Sequence, residues 1–191
     1  MSAAGRPAVA IPVHHLEEVT VSEKLLSRPP HSAAAAGVGR PPEVADLLAK
    51  VGRLLDAGDP RAALDLVGRA KLGSPWVTNA VGVCLLRLGQ AGRAVELFRG
   101  LVLGAGGLVL RADLPAVIKA NYARALLAAD NLSGFLSVLA ALRSDADPAA
   151  RRLVAAFDAW YGGLSFWQRV RWSLGGRLDR PLALDGPPGE L

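Results

Sequence analysis

The sequence predicts an all-α protein, on three observations. No segment of useful length alternates apolar and polar residues with a period of two, so no sheet is expected beyond a short extended piece at 108–110. Three mid-chain prolines directly follow a helix-capping residue, in Asp59-Pro60, Ser74-Pro75 and Asp147-Pro148. Apolar residues recur at i, i+3, i+4 and i+7 in three separate windows, which is one face of a helix.

The expected helices cover 42–57, 60–72, 75–88, 91–103, 114–129, 132–143, 148–162 and 166–175. Their starts follow from capping. A side-chain oxygen at the N-cap satisfies orphan amide groups, and a proline at the first helical position has no amide to satisfy. Asp113 precedes Pro115 by two residues and suggests another start near 114. Ser165-x-x-Gln168 forms a capping box ahead of the last helix. Ends are marked by turn residues: Ala57-Gly58, Leu72-Gly73, Gly89, the run 104–107, Asp130-Asn131 and Gly162-Gly163.

Of the 13 prolines, six lie before residue 43 and three after 180. This divides the chain into a disordered head (1–40), a helical body (41–176) and an extended tail (177–191). At 51% hydrophobic residues over 191, the chain has enough apolar surface to offset its entropy and excludes wholesale disorder. A single cysteine, Cys84, excludes an internal disulfide and a thiolate metal cluster. No secretory leader pattern opens the chain, and its longest uncharged apolar run, 100–110, is too short to span a bilayer. A soluble, cytoplasmic protein is expected. The net charge of +5 comes from 22 basic residues scattered along the chain, only four of them lysine. Nucleic acid is therefore a secondary expectation, because a phosphate footprint needs a concentrated basic stripe.

The second helix of each pair repeats one apolar pattern. It reads Ala63, Leu66, Val67, Ala70, then Ala94, Leu97, Phe98, Leu101, then Phe135, Val138, Leu139, Leu142, at offsets of 31 and 41 residues. In the preceding helices Val81, Gly82, Leu85 and Leu86 match Tyr122, Ala123, Leu126 and Leu127, with a looser copy at Val51, Leu54 and Leu55. The small residue at 82 and 123 implies a close approach of two helix backbones. These matches resemble the tetratricopeptide repeat (TPR) family: Val81-Gly82, Leu85, Ala94 and Phe98 fall at the family spacing, as do Ala63, Val67 and Pro75. The resemblance covers about 43–162. It implies a short right-handed superhelical solenoid of antiparallel helix pairs, about three TPR-like repeats plus capping helices at the C-terminal side. The copies depart from the family's length, and the excess falls at 103–113, read as a lengthened connection over the core edge, with a binding loop as the alternative.

No catalytic constellation is expected. All three histidines (His14, His15, His31) lie in the head, which leaves the body without a histidine base. No phosphate loop, cofactor motif or metal-ligand spacing appears, since 104–107 has no following Lys-Ser/Thr. The expected function is a non-catalytic adaptor or scaffold binding a peptide or helix of another protein. The resemblance implies a groove lined by the first helices of the repeats, here Trp76, Asn79, Val83, Leu86 and Arg87, then Ala120, Arg124 and Leu127. Some family members hold a ligand carboxylate with Lys and Asn. The matching positions here are mostly apolar, with Leu48 and Gly52 in the first copy, so an apolar ligand or the protein's own tail is expected. A second candidate surface is the last helix. Phe166, Trp167, Val170 and Leu174 share one face, expected to pack on Phe157, Trp160 and Tyr161. Trp172 then points outward beside Arg169 and Arg171, covered by the tail or available to a partner. The alternative function, binding nucleic acid or an anionic membrane, would use Arg151, Arg152, Arg169, Arg171 and Trp172.

Overall fold

A computed structural model describes residues 39–70, 72–104, 107, 109–173, 182 and 189–191. Expectations that fall on the head's histidines, or on Leu174, lie outside these residues. Eight helices occupy the described residues: α1 (Pro42–Asp56), α2 (Pro60–Arg69), α3 (Pro75–Arg87), α4 (Ala91–Val102), α5 (Ala116–Ala128), α6 (Leu132–Leu142), α7 (Pro148–Gly162) and α8 (Phe166–Ser173). Among the described residues the only β pairing is an isolated antiparallel bridge between Leu103 and Leu110. No helix among them is long and apolar enough to cross a membrane.

The caps act as the sequence chemistry requires. Asp59 Oδ1 accepts from the Ala62 amide at 2.9 Å, Asp147 Oδ1 from Ala149 at 2.7 Å, and Asn131 Oδ1 from Gly134 at 2.9 Å. The capping box is reciprocal: the Ser165 amide donates to Gln168 Oε1 at 2.8 Å, and the Gln168 amide donates to Ser165 Oγ at 3.3 Å. Helices α1, α4 and α5 have no side-chain cap, and α5 departs from its expected start. Its N-cap is Pro115, without a side-chain cap, and the helix begins two residues later than expected. Asp113 instead holds Arg111 in a two-point pair, which keeps its carboxyl below the usual carboxylate range.

One helix closure recurs along the backbone. Helices α1, α3 and α5 each end in a left-handed residue: Gly58 (φ 77°), Gly89 (φ 71°) and Asp130 (φ 58°). In each case the next amide reaches back five residues. Asp59 donates to the Leu54 carbonyl, Gln90 to Leu85 and Asn131 to Leu126, at 2.8–2.9 Å. This is the Schellman closure of a helix, recurring at the spacings of 31 and 41 residues that separate the apolar patterns. A left-handed residue is strained with a side chain, whereas an exposed helical glycine costs backbone entropy. Gly89→Ala is therefore expected to lower stability by about 1 kcal/mol. Gly100→Ala, with open space where its Cβ would lie, is expected to raise it by about 0.5–1 kcal/mol. Paired denaturant melts check both signs.

Successive helices pack on one another from α1 through α7, and α1 also meets α3, α3 meets α5, and α5 meets α7. The core is continuous. Ala63, Val67, Ala94, Phe98, Phe135 and Leu139 supply it from the second helices, and Val51, Ala80, Val83, Ile118 and Ala123 from the first. The odd-numbered helices are near-neighbours, so their side chains can meet along a single face. The segment 103–113 folds back on the end of α4: Gly104 N donates to Val109 O and Arg111 N to Val102 O, both at 2.9 Å. Leu103 and Leu110 pack against the core, in keeping with a connection that covers its edge.

The close approach at Gly82 differs from expectation. The space a Cβ would need is filled by the Phe98 ring, with Cζ at 2.3 Å, rather than by a neighbouring helix backbone. The face of α8 is also reversed. Phe166 and Trp167 are 70% and 76% exposed and stack edge-on against each other. Trp172 turns inward, with ring centroids 5.9, 5.2 and 5.7 Å from Phe157, Trp160 and Tyr161. Apolar residues occur on both sides of this short helix, so periodicity alone does not choose between them. The three rings of Phe157, Trp160 and Tyr161 receive the Trp172 indole in tilted and edge-on contacts, which fixes the face that turns inward.

Candidate functional site

The site lies where α1, α3, α5 and α7 come together. In α3, Asn79 and Val83 are one turn apart and share a face; both are fully buried. In α5, Asn121 is buried and Arg124 follows three residues later with its side chain only 11% exposed. An asparagine inside a helix is a poor helix former, and a buried amide left unbonded costs about 1–3 kcal/mol. Two such residues in apolar surroundings therefore need partners.

The partners are each other and residue 190. Asn121 Nδ2 donates to Asn79 Oδ1 at 2.8 Å and to the Glu190 carbonyl at 2.6 Å. Asn121 Oδ1 accepts the Glu190 amide at 2.9 Å. Asn79 Nδ2 donates to the same Glu190 carbonyl at 3.2 Å. One side-chain amide thus reads both backbone groups of residue 190, as a neighbouring β-strand would, and the second amide braces the first. Such contacts see backbone and not side chain, so they suit any extended segment.

Side-chain contacts add selectivity. The Glu190 carboxylate spans two arginines: Arg124 approaches Oε1 at 3.4 Å, and Arg152 of α7 bonds Oε2. Burial lowers the pKa of Arg124, while the Glu190 charge opposes that shift. Arginine starts high enough to stay charged, so the carboxylate meets a largely desolvated cation. On one side of residue 190, Gly189 is buried with φ 88° against Val83. A Cβ there would lie 3.0 and 3.1 Å from the two Val83 γ carbons. On the other side, Leu191 packs on the core, its Cδ1 3.8 Å from where a Cβ of Gly52 would stand. The arrangement accepts a residue without a side chain, a glutamate and an aliphatic residue in succession.

Several groove residues expected from sequence fall here. Asn79, Val83 and Arg124 touch residues 189–190. Trp76 is buried at the start of α3 under the Arg40 guanidinium, 4.0 Å from its ring centre. Arg87 lies half-buried at the end of α3, where its charge partly offsets the burial that pushes the Cys84 thiol up to about 11. The groove is less apolar than expected, with two buried amides on its floor and two arginines at its rim, and it is the protein's own tail, the other expected occupant, that lies there at residues 189–191. Arg169 and Trp172 lie elsewhere. Arg169 donates to the Gly162 carbonyl at 2.9 Å and stacks over Tyr161, while Trp172 sits in the aromatic cluster, so both join α8 to α7. Sequence reasoning missed Asn121, Glu190 and the pairing of Arg152 with Glu190. Among the described residues no group of His, Cys, Asp or Glu is placed to hold a metal ion.

No protein-family model matches the chain, and neither the curated proteins nor the solved structures contain a significant match to it.

Proposed function

We propose that the chain is a non-catalytic interaction module of the cytoplasm, a TPR-like solenoid adaptor whose groove takes an extended peptide segment of another protein. The single observation that carries this reading is the Asn79–Asn121 pair, which bonds both the amide and the carbonyl of one residue, Glu190. Buried amides aimed at backbone groups serve recognition of a chain better than they serve packing, because an apolar residue would fill the same space without a desolvation cost. The repeated Schellman turns and the contacts between alternate helices support the solenoid arrangement. The reading through the Arg/Trp helix is weaker, since Arg169 and Trp172 are engaged within the fold and Arg152 bonds Glu190.

The test is selection of a random peptide library on the intact chain and on its Gly189→Val variant. Selected peptides are expected to bind saturably and to lose binding to the Asn79→Ala/Asn121→Ala double variant. Failure to recover a saturable peptide on either chain, or equal binding to the double variant, overturns the reading.

A further inference from the structure

We infer that residues 189–191 are an intramolecular ligand of the groove, and that the groove's ligand in trans is a partner segment of the same class: a glycine–glutamate–aliphatic sequence whose glycine is left-handed. This rests on the interaction-module reading and names its ligand and its regulation. Every contact just described is a ligand contact in kind. Backbone groups of residue 190 meet the two amides, its carboxylate meets two arginines, the glycine meets the Val83 wall, and the leucine meets the floor beside Gly52.

Each subsite restricts what enters. Gly189 is left-handed and lies against Val83, so a side chain there is strained and crowded. Arg124 and Arg152 together favour a carboxylate and repel a cation, and the short reach of aspartate engages both arginines less well than glutamate. The apolar surroundings of the Leu191 side chain disfavour a charged side chain there, because it packs, partly buried, against the core.

Occupancy in cis sets the affinity in trans. A tethered segment has an effective concentration on the order of 1 mM. For an intrinsic dissociation constant of about 10 µM, it weakens binding of a free peptide about 100-fold. A partner then succeeds by matching the three subsites better, by adding contacts beyond them, or after the chain's own segment is drawn away.

The experiment titrates a fluorescent peptide with the sequence of residues 182–191 against three full-length chains: unmodified, Gly189→Val and Glu190→Lys. The two variants eject the segment by different means, steric and electrostatic, and leave every groove wall intact. Circular dichroism melts check that both fold. Each variant is expected to bind the peptide at least 10-fold more tightly than the unmodified chain. Adding Asn121→Ala to either variant is expected to abolish binding, as is a Glu→Lys change in the peptide. Equal affinity for all three chains overturns intramolecular competition. A dimer in sedimentation that Gly189→Val converts to monomer overturns it too, by placing the segment in a second copy's groove. If library peptides bind the groove while this peptide binds none of the chains, the ligand class is overturned and the interaction-module reading stands.

Discussion

Gly82→Ala is expected to destabilise the protein by about 2–3 kcal/mol, an unusually large cost for one added methyl group. The new Cβ would lie 2.3 Å from Phe98 Cζ, 2.6 Å from Cε2 and 2.9 Å from Cε1. These are atoms of one rigid, fully buried ring, and not the end of a flexible chain that swings aside. Phe98 has two side-chain torsions and no open space, so relief requires α3 and α4 to separate, which disrupts contacts along both helices. For a chain of this size, 2–3 kcal/mol corresponds to a fall in Tm of about 5–10 °C. The clash also predicts a coupling. Phe98→Leu alone opens a cavity and costs about 1–2 kcal/mol. In the Gly82→Ala background, the smaller leucine makes room for the methyl group, so the double variant is expected to be more stable than Gly82→Ala alone. The next repeat holds Ala123 and Leu139 at the corresponding positions, an alanine with a leucine where the first has a glycine with a phenylalanine. Thermal melts of the two single variants and the double variant measure the cycle. A Gly82→Ala protein as stable as the unmodified one would contradict the packing.

Much of the fold is legible in the sequence because its determinants are local. Asp59, Ser74 and Asp147 cap helices within three residues of themselves, and the Gly58 and Gly89 turns close helices within five. The repeat spacing survives because the same closure recurs after Leu54, Leu85 and Leu126. The face of α8 was not legible: an eight-residue helix with aromatics on both sides carries no periodic preference, and the aromatic cluster of α7 decides it. The site divides in the same way. Asn79 and Arg124 follow from groove positions within a repeat. Asn121 does not, because repeat alignment pairs Asn79 with Ala120, and the two asparagines meet only because they occupy inequivalent turns of α3 and α5. Glu190 lies 69 residues from Asn121 in sequence, and no local pattern announces so distant a contact. One signal was available. The chain has three asparagines; Asn131 caps a helix, and the other two sit inside apolar helices where their propensity is poor.

That contrast gives the second large expectation. Asn121→Ala removes three hydrogen bonds at once, to Asn79 Oδ1 and to the amide and carbonyl of Glu190. Asn131→Ala removes one, the cap to Gly134. The exposed cap is worth about 1 kcal/mol and acts on the start of α6 alone. The buried amide is worth about 2–4 kcal/mol, since its loss leaves Asn79 and the backbone of residue 190 short of partners in a largely buried site. Its effect is also local in a different sense. Residues 189–191 can leave the groove and recover hydrogen bonds to water, so part of the cost appears as detachment of the segment and not as unfolding of the helices. Hydrogen exchange separates the two. With Asn121→Ala, the Glu190 amide is expected to exchange at close to the rate of an unstructured peptide, at least 100-fold faster than in the unmodified chain, while amides in the middle of α3 and α4 stay protected. With Asn131→Ala, global stability falls and the Glu190 amide keeps its protection relative to the helices. Were the two asparagines interchangeable packing residues, both variants would shift all amides together, and the Glu190 amide would show no separate response.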